Sequence, residues 1–102
     1  KNPSAFHCPI INVHPSLLPK YKGLHAVEQA MEAGDEVTGC TVHYVNEELD
    51  GGEIILQGEV PILPDDDIES LTKAIQRMEY AILPEVINHV ANKGRSRVLA
   101  YG

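Results

Sequence analysis

Basic residues are scarce in this sequence. Eight Lys and Arg stand against fifteen Asp and Glu among 102 residues, a formal net charge of −7. So acidic a chain repels a phosphate backbone, which argues against nucleic acid as the primary partner. Long apolar runs are missing too: no stretch reaches the roughly 18 apolar residues of a membrane span, so no membrane partner is expected. The opening Lys1-Asn2-Pro3-Ser4 lacks the apolar core of a secretory signal. Cysteine is limited to Cys8 and Cys40, with no C-x-x-C pair. Both read as reduced, structural thiols of a cytoplasmic protein, Cys40 packing as a small hydrophobe. There is no internal repeat and no low-complexity linker. An initial methionine is also missing, and the chain enters a strand almost at once, which reads as a piece of something longer.

What is present is ordinary globular composition, 43% apolar and 23% charged. That suffices for one domain over residues 1–102 with a single core. Pro9 to Val13 is a short apolar run, the mark of a buried strand. It stops at His14-Pro15, where the proline keeps His14 extended and the chain turns. Ser16 to Gly23 reads as a loop, with Leu18-Pro19 a candidate cis bond. His25 to Ala33 reads as a short helix with Val27, Ala30 and Met31 on one face and Gly34 at its C-terminal cap. Gly39 to Asn46 alternates as a strand, Cys40, Val42 and Tyr44 against Thr41, His43 and Val45. Asn46 to Gly52 is a turn, and Ile54 to Ile62 completes an antiparallel hairpin with a wide loop. Asp66 with Glu69 fits a capping box. A helical stripe follows: Ile68, Leu71, Ile75, Met78, Ile82, Val86 and Val90. Pro84 predicts a kink near Tyr80 to Leu83, Lys93-Gly94 ends the helix, and Arg97 to Tyr101 forms a last strand. The order gives an α/β fold, a mixed sheet flanked by helices.

Two polar residues share a notable place. Asn12 and His14 are two apart on a strand, so both point to one face. They also lie at its C-terminal end, where open α/β sheets form their ligand crevice. An amide donor and a proton-holding imidazole meet there; a solvated strand end beside a loop is the plainer reading. Asp50 precedes Gly51-Gly52, which lets backbone approach a ligand closely, though an ordinary Asp-Gly turn looks the same. His14, His25 and His43 could in number bind zinc. They contain no helical i, i+4 pair, and Asn12 is a poor zinc ligand, so no metal is expected. The run Asp65-Asp66-Asp67 reads as a solvated loop feeding the helix, with metal binding as the alternative.

The run Asn12-Val13-His14-Pro15-Ser16-Leu17-Leu18-Pro19 resembles the signature of folate-dependent formyltransferases. Thr38-Gly39-Cys40-Thr41-Val42-His43 and Glu48-Leu49-Asp50-Gly51-Gly52 are similar to further motifs of that family, in order and spacing. Lys20-Tyr21-Lys22-Gly23-Leu24-His25 narrows the resemblance to the phosphoribosylglycinamide formyltransferase group, over Ile10 to Gly94. The resemblance implies formyl transfer from 10-formyltetrahydrofolate, as co-substrate and without metal, to the amine of glycinamide ribonucleotide in purine biosynthesis. It implies catalytic roles for Asn12, His14 and Asp50. Asn12 and a protonated His14 would donate to the developing oxyanion, and Asp50 would favour the charged imidazole. His14, directly or through a water held by Asp50, would carry the proton from amine to folate nitrogen.

The resemblance further places His25, His43 and Thr41 around those groups. It assigns Asn46, Glu47, Glu48, Leu49 and Asp50 to the loop around folate, and Glu79 to the ribose of the nucleotide substrate. His25 and His43 could equally be packing residues, and Glu79 an exposed helix charge. The N-terminal half of the family's fold, with its phosphate loop, has no counterpart here. The expectation is a chain weak or inactive alone and self-associating through its uncovered sheet. Two related enzymes share the Asn, His and Asp pattern. Methionyl-tRNA formyltransferase would need tRNA contacts and a further domain. Formyltetrahydrofolate deformylase has a second histidine where this sequence has Pro15. A non-catalytic, self-associating remnant is the reading outside enzyme chemistry.

Overall fold

A computed structural model describes residues 10–45, 52–94 and 99–101. The elements are β1 (Ile10–His14), α1 (Ala26–Glu32), β2 (Val37–Tyr44), β3 (Ile54–Pro61), α2 (Ile68–Gly94) and β4 (Leu99–Tyr101). They form one mixed sheet in the order β3-β2-β1-β4. β1 pairs antiparallel with β2 and parallel with β4, and β2 pairs antiparallel with β3. The α/β arrangement matches the sequence pattern, with boundaries displaced by one or two residues.

Period-two alternation decides what each face does. Ile11, Val13, Cys40, Val42 and Val60 are buried with Val27, Leu71, Ile75, Val86 and Val90 in one apolar cluster. α2 therefore lies over that face of the sheet, as its apolar stripe requires. Ile68, at the start of the stripe, is 48% exposed and falls outside the cluster. Cys40 is fully buried in the cluster. Burial, helped by the nearby Glu79 charge, pushes its thiol up to about 11, which suits packing rather than reactivity.

The ends of both helices show what the sequence could and could not fix. α1 begins after His25, which is left-handed at φ 63 rather than helical. It ends in a Schellman motif: Asp35 N–H donates to the Ala30 carbonyl at 3.2 Å and Gly34 N–H to the Met31 carbonyl at 3.1 Å. Gly34, at φ 74, makes the left-handed step this closure needs.

The capping box of α2 sits one residue later than the Asp66 and Glu69 pairing. Asp67 Oδ1 accepts from Ser70 N–H at 2.8 Å and Asp67 N–H donates to Ser70 Oγ at 3.0 Å. The reason is that Asp66 is used elsewhere. Its carboxylate accepts the Leu63 N–H at 2.9 Å and the Ser70 hydroxyl at 2.6 Å. These bonds hold both carboxyls, Asp66 and Asp67, below the usual carboxylate value. The acidic run is thus a turn and a cap. α2 continues through Pro84 to Gly94. The proline removes one donor, while Val86 and Val90 stay buried beyond it.

Gly52 bears on the double-glycine argument. A Cβ there would lie 1.6 Å from the Tyr44 carbonyl oxygen. The close approach that excludes a side chain at Gly52 is to its own hairpin, where Tyr44 N–H donates to the Glu53 carbonyl at 2.9 Å.

Candidate active site

The sheet face away from α2 is polar. Asn12 stands directly opposite His43, and His14 opposite Thr41, across β1 and β2. Thr41 in turn stands opposite Gln57 on β3. Residues directly opposite in an antiparallel pair share a face, with Cβ atoms roughly 5 Å apart. The structure thus brings Asn12, His14, Thr41 and His43 together, at the C-terminal end of β1. Asn12 is half-buried; His14, Thr41 and His43 are buried. A register shift between Val42 and His43 sits beside this group. Such bulges re-aim side chains next to functional sites.

The chain leaving β1 folds back over this face. Thr41 is the hub that holds it. Its hydroxyl accepts from Leu18 N–H at 3.0 Å and from Gln57 Nε2 at 2.9 Å, and donates to the Ser16 carbonyl at 2.7 Å. That uses one donor and two acceptor positions, the full capacity of a hydroxyl. Gln57 Nε2 also donates to the Leu18 carbonyl at 3.0 Å. Ser16, wholly buried, donates its hydroxyl to the Lys20 carbonyl. Leu18-Pro19 is cis, the geometry the sequence suggested. Gln57 and Ser16 were not evident as site residues. Their signal was only a glutamine within an apolar strand and a serine after His-Pro.

His14 Nε2 lies 2.7 Å from the Tyr21 carbonyl oxygen. A carbonyl only accepts, so Nε2 carries the hydrogen in this bond. Tyr21 is left-handed at φ 57. Its hydroxyl donates to Asp35 Oδ2 at 2.7 Å, and that bond raises the phenol above its ordinary value. Lys20 Nζ is 3.7 Å from the same oxygen. His43 Nδ1, 2.9 Å from the Tyr44 carbonyl oxygen, is likewise the donor.

Other expected residues stand apart or outside. His25 lies at the start of α1, with its side chain 73% exposed and 3.7 Å from Glu28 Oε2; it does not join the buried group. Asp50 and the loop positions Asn46, Glu47, Glu48 and Leu49 lie outside the described residues. Glu79 on α2 lines a cleft of about 170 Å³ with Val13, Pro15, Val27, Thr72, Ile75 and Gln76. Val13, Val27 and Ile75 belong to the apolar cluster, so this cleft lies on the α2 side of the sheet and reaches the chain at Pro15, just beyond β1. Burial raises the Glu79 carboxyl above its ordinary value. Among the described residues, no three His, Cys, Asp or Glu gather to hold a metal ion, and no helix is long and apolar enough to cross a membrane.

A family model described as formyl transferase matches residues 4–87. The chain belongs to the formyl transferase family. Within it, the chain is 53% identical over 95 residues to a phosphoribosylglycinamide formyltransferase of Haemophilus influenzae, covering 90% of this chain and 44% of that protein. It is also 53% identical over 83 residues to a trifunctional purine biosynthetic protein adenosine-3 of Drosophila melanogaster, covering 81% of this chain and 6% of that one. The fold superimposes on glycinamide ribonucleotide transformylase 1 from Symbiobacterium toebii with a TM-score of 0.84 at 45% identity, over 97% of this chain and 50% of that one. The chain therefore spans about half or less of the length of these formyl transferase relatives.

Proposed function

We propose that the protein carrying this chain transfers the formyl group of 10-formyltetrahydrofolate to the amine of glycinamide ribonucleotide, in the cytoplasm, as a step of purine biosynthesis. The observation that carries the reading is the placement of Asn12 and His14 on one sheet face at the end of β1, in a chain half identical to enzymes named for that transfer. The amine nitrogen attacks the formyl carbon, forming the new C–N bond. Negative charge gathers on the former carbonyl oxygen. Asn12 donates a hydrogen bond to it, as does a protonated His14. The proton leaving the amine passes by way of His14 to the folate nitrogen, whose bond to carbon breaks. Asp50, also proposed as catalytic, favours the cationic imidazole or holds a relaying water. Asn46, Glu47, Glu48, Leu49 and Asp50 contact the folate, and Glu79 the ribose.

The test is formylation of glycinamide ribonucleotide by the full polypeptide, set against water and methionyl-tRNA as acceptors. The expected result is turnover with the ribonucleotide alone, abolished in Asn12→Ala and Asp50→Asn. Turnover with only water or tRNA would overturn the substrate assignment.

One further observation bears on assembly. β3 and β4 are the outer strands of the sheet, each with an edge that no strand among the described residues covers. We infer that the 102-residue chain taken alone turns over weakly and self-associates through those edges. Sedimentation of the isolated chain as a monomer, or normal turnover by it, would contradict this.

A further inference from the structure

His14 is held from a direction that the transfer chemistry does not explain. Its Nε2 lies 2.7 Å from the Tyr21 carbonyl oxygen. Because that oxygen cannot donate, the neutral ring in this bond is the Nε2–H tautomer. The nitrogen that gains and loses the reaction's proton is then Nδ1. The choice depends on where the Tyr21 peptide points. Tyr21 has φ 57, a left-handed conformation unfavourable for a non-glycine residue. Such a conformation persists only where its surroundings impose it.

The bonds from Thr41 and Gln57 hold residues 16 and 18, upstream of Tyr21. The Ser16 hydroxyl holds the Lys20 carbonyl, in the peptide before Tyr21, and the phenol ties the Tyr21 side chain. It donates to Asp35 Oδ2 at 2.7 Å. Asp35 is fixed in turn by its own N–H, which donates to the Ala30 carbonyl at 3.2 Å in the C-terminal closure of α1. A continuous path of hydrogen bonds therefore runs from the end of α1, through Asp35 and the phenol, to the left-handed Tyr21 peptide and the His14 ring.

We propose that Tyr21 and Asp35 are positioning residues for His14, fixing its ring in the Nε2–H form so that Nδ1 handles the proton. The proposal rests on the formyl-transfer reading for its kinetic consequence only. The tautomer itself can be read without turnover. Loss of the phenol bond lets Tyr21 relax toward ordinary φ, its carbonyl turns, and the ring samples both tautomers.

The experiment uses the full polypeptide with ¹⁵N-labelled histidine. The His14 ring nitrogens are read by NMR and kinetics are measured alongside. Read at a pH high enough for the ring to be neutral, the wild type should show the Nε2–H tautomer. Tyr21→Phe and Asp35→Ala should each show mixed tautomers. Each should lower kcat about ten-fold while leaving both KM values within about two-fold, the signature of misorientation rather than lost binding. Combining them should cost no more than either alone. Asp35→Asn keeps an oxygen that can accept from the phenol, and should restore the wild-type tautomer and kcat to within about two-fold. If Tyr21→Phe fails to fold, the two Asp35 variants carry the same test. An Nδ1–H tautomer in the wild type overturns the proposal, as do an unchanged tautomer and kcat in Asp35→Ala. Absence of formyl transfer by the wild type would sink the functional reading, and the NMR result would still decide the clamp.

Discussion

Toward α2, strands β1 and β2 present Ile11, Val13, Cys40 and Val42. Away from it, the alternate residues of the same strands are Asn12, His14, Thr41 and His43. The two faces differ in which kind of energy they use. Apolar burial is non-directional and scales with area, about 25 cal/mol per Å². It stabilises the sheet against α2 without demanding a unique geometry. The hydrogen bonds of the other face each add only about 1 kcal/mol net, but leaving a buried partner unmet costs more. They contribute little to folding and much to where atoms sit. The first face makes the domain stable; the second aims a histidine.

Substitutions should separate the two. The largest stability loss should come from Leu71→Ala on α2, where a fully buried side chain leaves a cavity. About 2–5 kcal/mol is expected by denaturant titration, with Asn12, His14 and Thr41 left in place. A loss under about 1 kcal/mol would mean the apolar face is not the stabilising one. Thr41→Val should have a smaller effect on stability. It keeps the shape but strands the Leu18 N–H and Ser16 carbonyl, costing about 1–3 kcal/mol. It should also lower kcat, because the loop that follows His14 loses its hub. Loss of stability with unaltered kcat would show that Thr41 serves packing alone.

Glu79→Gln should have the smallest effect, visible as a pH dependence. Burial raises the Glu79 carboxyl from its ordinary 4.5. The folded state therefore holds this proton to higher pH than the unfolded chain. The associated stability is complete below the ordinary value and is lost as pH rises through the folded one. Glutamine stays neutral throughout, so the melting temperature of Glu79→Gln minus that of wild type should grow from acidic to neutral pH. A flat difference would place Glu79 in solvent rather than in the cleft.

Much of this division was legible in the sequence. Alternation in Gly39 to Asn46 assigned Cys40 and Val42 to one side and Thr41 and His43 to the other. The stripe from Leu71 to Val90 announced the helix that covers the apolar face. What stayed hidden depends on contacts distant in sequence. Nothing local marks Gln57 as the partner of Thr41 and Leu18, because their pairing exists only in the register of β2 and β3. Tyr21 read as part of a loop. Its left-handed turn and its bond to Asp35, fourteen residues away, arise from how the loop docks on α1. His25, a histidine in a matching motif, lies exposed at the start of α1, an exposure its motif did not signal. The cap of α2 slipped by one residue because two adjacent aspartates compete for one helix end, and only the Leu63 turn decides between them.

The most direct test of the account is His14→Asn in the full polypeptide, with formyl transfer and melting temperature measured on the same sample. Turnover should fall by about 10²–10⁴, the range for losing a positioned proton carrier. The melting temperature should stay within a few degrees of wild type, since the sheet's stability lies on the other face. Retained turnover, or a collapse of stability that accounts for the lost activity, would contradict it.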